Sequence, residues 1–371
     1  MKIGITCYPT YGGSGAVATE LGIGLAARGH EVHFISYAQP FRLSGFHERV
    51  YFHEVELERY PLFETSHYTL ALAAAIHDTA LRQGLDIVHV HYAIPHATSA
   101  WIAGEMLETA PPLVTTLHGT DVTLVGLHPS FRAITRFSIL RSQGITAVSR
   151  FLKEVTVRDF EVPEEQVRVI PNFVDTELFR PRENAARKRV FAPAGEKILM
   201  HVSNFRPVKR VRDVIDVFAG VRREMPCRLV MVGDGPDRPR AAQRAMERGV
   251  ERDVVFLGKH ASVEELLPCA DLFLLTSESE SFGLAALEAI ACGVPVVGYR
   301  AGGLPEVITH GENGLLVPVG DVEEAVTAAA CLLGGAELWH RFSEAGRHAA
   351  VERFAVARVL PRYEALYRAL A

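Results

Sequence analysis

Two carboxylates with the spacing E-x7-E stand out first. They lie in Ser277-Glu278-Ser279-Glu280-Ser281-Phe282-Gly283-Leu284-Ala285-Ala286-Leu287-Glu288-Ala289, directly behind the apolar run Asp271–Thr276. That run reads as a buried strand, and the segment from Phe282 to Ala291 as a helix. Glu280 is then placed just before the helix, and Glu288 about two turns inside it. Ser281 is a natural N-cap, which would leave the Phe282, Gly283 and Leu284 amides free. Carboxylates accept from sugar hydroxyls and amides donate to oxygens, so the set suits a polyol attached to a phosphate. A lone E-x7-E is as readily one solvated and one capping glutamate. The strand–turn–helix context favours the ligand reading, because open α/β sheets bind ligands at strand C-termini.

Three further turns carry polar chemistry. Ser203-Asn204-Phe205-Arg206-Pro207-Val208-Lys209-Arg210 follows the apolar run Lys197–Val202. Arg206, Lys209 and Arg210 place cations where a diphosphate leaving group would be stabilised as its charge develops. The plainer reading is a solvated basic loop. Near the N-terminus, Cys7-Tyr8-Pro9-Thr10-Tyr11-Gly12-Gly13-Ser14-Gly15 separates a strand from a helix. Glycines admit a ligand to the backbone, and a helix N-terminus attracts anions. The turn departs from a nicotinamide fingerprint, since Gly13 is too far behind the strand and the next strand ends in Ser36-Tyr37 without an acid. Finally, His118 in Thr115-Thr116-Leu117-His118-Gly119-Thr120-Asp121 ends another apolar run, and His89, His91 and His96 surround a neighbouring one. A metal at His89-x-His91 is disfavoured, because no acidic partner is placed beside the pair. The turn Val232-Gly233-Asp234-Gly235-Pro236-Asp237 reads as a strand exit.

The elements that must position these residues alternate strand and helix. Lys2–Thr6, Glu31–Tyr37, Val50–Glu56, Asp86–His91, Leu113–Leu117 and Gly144–Val148 read as strands, with helices at Ala16–Ala27, Tyr68–Gln83 and His96–Glu108. A second series opens at Lys197–Val202, with helices at Val211–Arg223, Arg238–Arg248 and Asp321–Leu333. This predicts an α/β chain of two doubly wound, Rossmann-like domains. Residues 1–178 form the first and 179–355 the second, with a linker near 175–195. The final helix, 356–371, is free to pack back on the first domain.

Together these motifs resemble the retaining glycosyltransferases of family 4, which have the GT-B fold: two Rossmann-like domains facing a central cleft. The resemblance covers nearly the whole chain. It is carried by Gly12–Gly15, Pro171-Asn172-Phe173-Val174-Asp175, Arg206–Lys209, Val232–Pro236, Glu280–Glu288 and Cys292-Gly293-Val294-Pro295. Strings such as HVHYAIPHA, TTLHGTD and HVSNFRPVKRVRDVI are similar to the branch that joins N-acetylglucosamine from UDP to L-malate in bacillithiol biosynthesis. The resemblance implies a donor site of Gly13, Asn204, Arg206, Lys209, Glu280, Ser281, Phe282, Gly283, Leu284 and Glu288. Glu288 would hold the uridine ribose, Glu280 the donor sugar and Lys209 the diphosphate. Asn204 stands where most of the family has an arginine, and Arg206 is the candidate to supply that charge. Ser14, Tyr92, His118, Thr120 and Asn172 would meet the acceptor. His118, Lys209 and Glu280 would carry catalysis. Retention is expected, with the departing UDP oxygen taking the acceptor hydroxyl's proton on the same sugar face, and closure of the domains would assemble the site.

Composition excludes other classes. Apolar residues at 48% and charged residues at 22% are those of a globular protein. A net charge of −5 with no basic stripe argues against nucleic acid. The five cysteines are isolated, so neither a disulfide framework nor a zinc site is expected. No leader or 18-residue apolar run is apparent, which predicts a cytoplasmic, non-membrane protein. No cofactor or metal is expected. The expected partners are UDP-N-acetylglucosamine and L-malate, with a homodimer left open. The alternatives are a family member with an inositol phosphate, lipid or glycan acceptor, a non-catalytic nucleotide-sugar binder, and a nicotinamide oxidoreductase.

Overall fold

A computed structural model describes residues 1–10, 12–57, 67–183 and 185–371. Tyr11 of the first turn and Asn184 of the expected linker lie outside them. The chain divides into two compact units, Met1–Asn172 with Ala357–Ala371, and Phe173–Val356.

Unit 1 holds strands β1 (Lys2–Thr6), β2 (Glu31–Ser36), β3 (Val50–Glu54), β4 (Ile87–His91), β5 (Leu113–Leu117), β6 (Gly144–Ala147) and β7 (Val167–Val169). All pairings are parallel, in the order β3-β2-β1-β4-β5-β6-β7. Every residue of β4 and β5 is buried, which explains their unbroken apolar or neutral character. The order reverses between β1 and β4, so the turns after these strands lie side by side. The terminal helix Val356–Leu370 belongs to this unit. It buries Val359, Leu360, Tyr363, Leu366 and Tyr367, and Tyr367 Oη lies 2.7 Å from His89 Nδ1. Arg28 grips Glu364 of the same helix through two bonds of 2.8 and 2.9 Å. That ion pair and the His30 ring hold the Glu364 carboxyl down at about 2.

Unit 2 holds β8 (Lys197–Val202), β9 (Cys227–Val232), β10 (Val254–Gly258), β11 (Leu272–Leu275), β12 (Val296–Tyr299) and β13 (Gly314–Val317). They too are parallel, in the order β10-β9-β8-β11-β12-β13. The reversal falls between β8 and β11. The Val211–Glu224 helix shows why it packs there: Val211, Val214, Ile215, Val217, Phe218 and Val221 repeat at helical spacing and are all buried.

The chain passes between units at 172/173, upstream of the expected boundary at 178/179. Residues 175–195 belong to unit 2 instead of forming a free connector. Phe173 and Phe179 are fully buried, Ala185–Phe191 is a helix, and Arg347 Nη1 and Nη2 donate to the Phe179 and Thr176 carbonyls. The polar composition of that stretch hid these two aromatic anchors.

Candidate active site

In unit 2 the pairing of β8 with β11 brings the basic turn against the acidic one. The Glu278 amide donates to the Val208 carbonyl at 2.9 Å, and Thr276 Oγ1 donates to the Lys209 and Arg210 carbonyls at 3.2 Å. Lys209 Nζ then meets Glu280 Oε1 at 2.5 Å, with both side chains largely buried. Behind this pair, Asp237 of the β9 exit turn donates its amide to the Phe205 carbonyl at 2.9 Å. His201 bonds Ser203 Oγ at 2.7 Å and the Leu274 carbonyl at 2.9 Å, and burial lowers its ring to about 4, so it is neutral. Asn204 Oδ1 and Ser277 Oγ are buried without partners, at the ends of these same two strands. Of the three cations, Lys209 faces Glu280, whereas Arg210 is turned to Asp213 at 2.8 Å and over the Tyr299 ring. Arg206 is exposed, and its guanidinium has no partner among the described residues.

The turn ahead of the second carboxylate differs from expectation. The helix runs Leu284–Ala291 with Gly283 at the N-cap, and Ser281 does not cap it. Gly283 has φ 96, a left-handed conformation, and a Cβ there would lie 2.7 Å from Leu304 Cδ1. Glu288 is therefore just over one turn into the helix instead of two, and is buried. The Phe282, Gly283 and Leu284 amides lie at the N-terminal end of this helix. The Phe282 side chain is core, edge-on to Phe354 at 5.6 Å, so only its backbone is available. Sequence reasoning missed Gly302. It has φ 53, and a Cβ on it would lie 2.0 Å from the Glu280 carbonyl oxygen, which also accepts from the Gly303 amide at 2.7 Å. The Ala301-Gly302-Gly303 string was the signal available.

In unit 1 the helix begins at Gly13, three residues ahead of the expected Ala16, so Gly13 and Ser14 form its first turn behind an N-cap at Gly12. Ser14 Oγ bonds Tyr92 Oη at 2.7 Å, which joins the turns after β1 and β4. Tyr92 holds φ 95, and its ring lies 5.4 Å from that of His118. His118 Nε2 lies 2.7 Å from His91 Nδ1, with the two rings stacked. Burial lowers His89 and His118 to about 3 and His96 to about 4, and sends His91 well below its ordinary value. All four are neutral at pH 7. Thr120 is half-buried behind Gly119, and Asn172 is buried with Oδ1 unpartnered. Asp121 was also missed. It is 2% exposed and accepts from the Ala93, His118 and Gly119 amides at 3.0, 3.2 and 2.9 Å. One carboxylate thus ties the β4 exit to the β5 exit.

No group of three His, Cys, Asp or Glu poised to hold a metal occurs among the described residues, and no described helix is long and apolar enough to cross a membrane. All five cysteines are free thiols, with Cys331 exposed and the others buried.

Comparison with known proteins agrees with the geometry. Residues 11–178 match the model described as Glycosyltransferase Family 4, and residues 182–349 match Glycosyl transferases group 1. The chain is 46% identical over 368 residues to the N-acetyl-alpha-D-glucosaminyl L-malate synthase of Bacillus anthracis, covering 99% of this chain and 96% of that one. It is 32% identical to a D-inositol 3-phosphate glycosyltransferase of Thermobispora bispora, over 71% of this chain and 66% of that one. Among solved structures, Anabaena HepE in complex with UDP and glucose superposes with a TM-score of 0.82 at 22% identity, over the whole of both chains. Matched from end to end by one relative and in each half by a glycosyltransferase model, the chain belongs to glycosyltransferase family 4.

Proposed function

We propose that this protein is a UDP-sugar-dependent transferase that moves N-acetylglucosamine from UDP-N-acetylglucosamine to the hydroxyl of L-malate, with retention at the anomeric carbon. The observation that carries the reading is the 46% identity to a malate synthase across both units, not in the donor half alone. In this reading unit 2 holds the donor. Glu288 accepts from the uridine ribose, the Phe282–Leu284 amides and Glu280 hold the sugar, and Lys209 faces the diphosphate with Arg206 beside it. Unit 1 holds the acceptor through Ser14, Tyr92, His118, Thr120 and Asn172, and the amides of Gly13 and Ser14 with the dipole of their helix favour a carboxylate.

The bond from the anomeric carbon to the UDP oxygen breaks, and a bond from that carbon to the malate hydroxyl oxygen forms. The hydroxyl proton passes to the departing diphosphate. The chain's part is positioning, stabilisation of charge on the leaving group, and exclusion of water. A cytoplasmic location and the absence of a membrane or nucleic-acid partner complete the proposal.

The test offers UDP-N-acetylglucosamine with L-malate, D-malate, succinate or inositol 3-phosphate, and follows UDP release and products by mass spectrometry. Turnover is expected with L-malate alone, since succinate lacks the nucleophile and D-malate cannot place hydroxyl and both carboxylates together. Preference for inositol 3-phosphate would overturn the acceptor assignment and leave the donor side standing.

A further inference from the structure

His118 has two ring nitrogens, and the fold uses one of them. Nε2 is taken by His91 Nδ1 at 2.7 Å. Nδ1 has no protein partner among the described residues, and it is not among the fully buried unpartnered atoms. Which nitrogen carries the proton decides whether His118 offers a ligand a donor or an acceptor.

The surroundings of His91 settle the direction. His91 is fully buried, and its own Nε2 is sealed in with no hydrogen-bond partner. Its ring centroid lies 4.6 Å from that of His89 and 5.0 Å from that of His118. Its carbonyl accepts from His96 Nδ1 at 2.5 Å. If His91 Nδ1 were the acceptor, the His91 proton would sit on Nε2 as a buried N–H with nothing to donate to. Such orphaned donors are rare in folded proteins, whereas an unfilled nitrogen lone pair among stacked rings is tolerated better. With both rings neutral, Nδ1–H of His91 donates to Nε2 of His118. The His118 proton is then on Nδ1. Asp121 holds the same residue from behind, through the His118 and Gly119 amides, so ring and backbone are both fixed.

We propose that His91 is a positioning residue that locks His118 in the Nδ1–H tautomer, so that His118 presents a hydrogen-bond donor to an oxygen of the bound substrate, a sugar hydroxyl or an acceptor carboxylate. This rests on the placement of His118 in the substrate site proposed above. His91 touches neither substrate in this scheme and acts through His118.

Two measurements test it. In protein labelled with ¹⁵N-histidine, the His118 signals, identified by their loss in His118→Gln, are expected to show a protonated Nδ1 and an unprotonated Nε2. The reverse pattern would overturn the proposal whatever the kinetics. The second compares His91→Asn, whose amide can donate from near the Nδ1 position, with His91→Asp, which as a carboxylate can only accept. His91→Asn is expected to keep kcat within about threefold. His91→Asp is expected to lose tenfold or more and to move the His118 proton to Nε2. Both variants are checked for folding by circular dichroism and for UDP binding. Equal activity of the two, with His118→Ala strongly impaired, would sink the tautomer lock alone. A His118→Ala variant with unaltered kcat and KM would instead remove the site reading on which it stands.

Discussion

The strand-end turns of the two units differ in their electrostatics. In unit 2 the strand-end turns carry a close ion pair, Lys209 with Glu280, a second buried carboxylate at Glu288 and an exposed Arg206. In unit 1 the corresponding turns carry hydroxyls and histidines that burial keeps uncharged. Asp121, the acid there, is occupied by three backbone amides. The topology is the same, with a parallel sheet whose order reverses beside the first strand of each unit. What differs is the chemistry each set of turns is suited to. Turns with formal charge can respond to charge that grows during a reaction, and neutral hydrogen-bonding turns can orient a ligand without repelling its charge.

The sharpest way to break this contrast is Lys209→Ala. If the unit 2 turns act on developing diphosphate charge, kcat is expected to fall about 10²-fold or more in steady-state assays. A rise in donor KM alone would reduce Lys209 to an anchor and weaken the contrast. Next in size is Glu288→Ala. If Glu288 accepts from the uridine ribose, its loss is expected to cost on the order of 1.5–3 kcal/mol of UDP affinity by calorimetry, with acceptor KM little changed. Unchanged UDP affinity in a folded variant would return Glu288 to a purely structural role.

Acid should separate the units by stability. His89, His91, His96 and His118 in unit 1 are all held below their ordinary range, whereas His201 is the deeply buried, strongly lowered histidine of unit 2. When unfolded these rings bind protons below about pH 6.5; when folded, His96 and His201 do so only near 4 and His89 and His118 near 3, with His91 also held well below its ordinary value. Between those limits the unfolded state holds more protons, so stability is full above the upper limit and falls as pH drops. Asp121, raised by burial, pulls the other way as a single group. Unit 1 is therefore expected to unfold at the higher pH. Trp101 reports unit 1 and Trp339 unit 2, so single-tryptophan variants followed by fluorescence from pH 7 to 4 check the order. Simultaneous loss, or earlier loss at Trp339, would contradict the neutral-histidine account. The smallest expected effect is that of chelation. EDTA is expected to leave transferase activity within experimental scatter, and loss rescued by magnesium or manganese would show that the unit 2 cations are not sufficient for the diphosphate.

Much of this was written in residue order. Apolar runs such as Ile198–His201 and Leu229–Val232 read as strands buried on both faces, and Gly84, with φ 66, closes the Tyr68–Gln83 helix where expected. Turns rich in Gly, Ser and charge behind those strands marked Glu280, Lys209 and Ser14, because parallel strands place their exits along one edge of the sheet. Local order could not reveal contacts that depend on which strands become neighbours. The meeting of Lys209 with Glu280 follows from β8 pairing with β11, and that of Ser14 with Tyr92 from β1 pairing with β4. Gly302 matters because a carbonyl from a distant turn presses against it, and Asp121 because two strand exits converge on its carboxylate. The Leu284–Ala291 helix starts late because its N-cap, Gly283, takes a left-handed φ of 96, a backbone choice that the sequence order alone does not show. Residue types and spacing determined the elements and the chemical inventory of this protein, since both are properties of short stretches of chain. Protonation, pairing and orientation were decided by tertiary structure alone, since each depends on burial and on partners that only packing brings within a few ångströms.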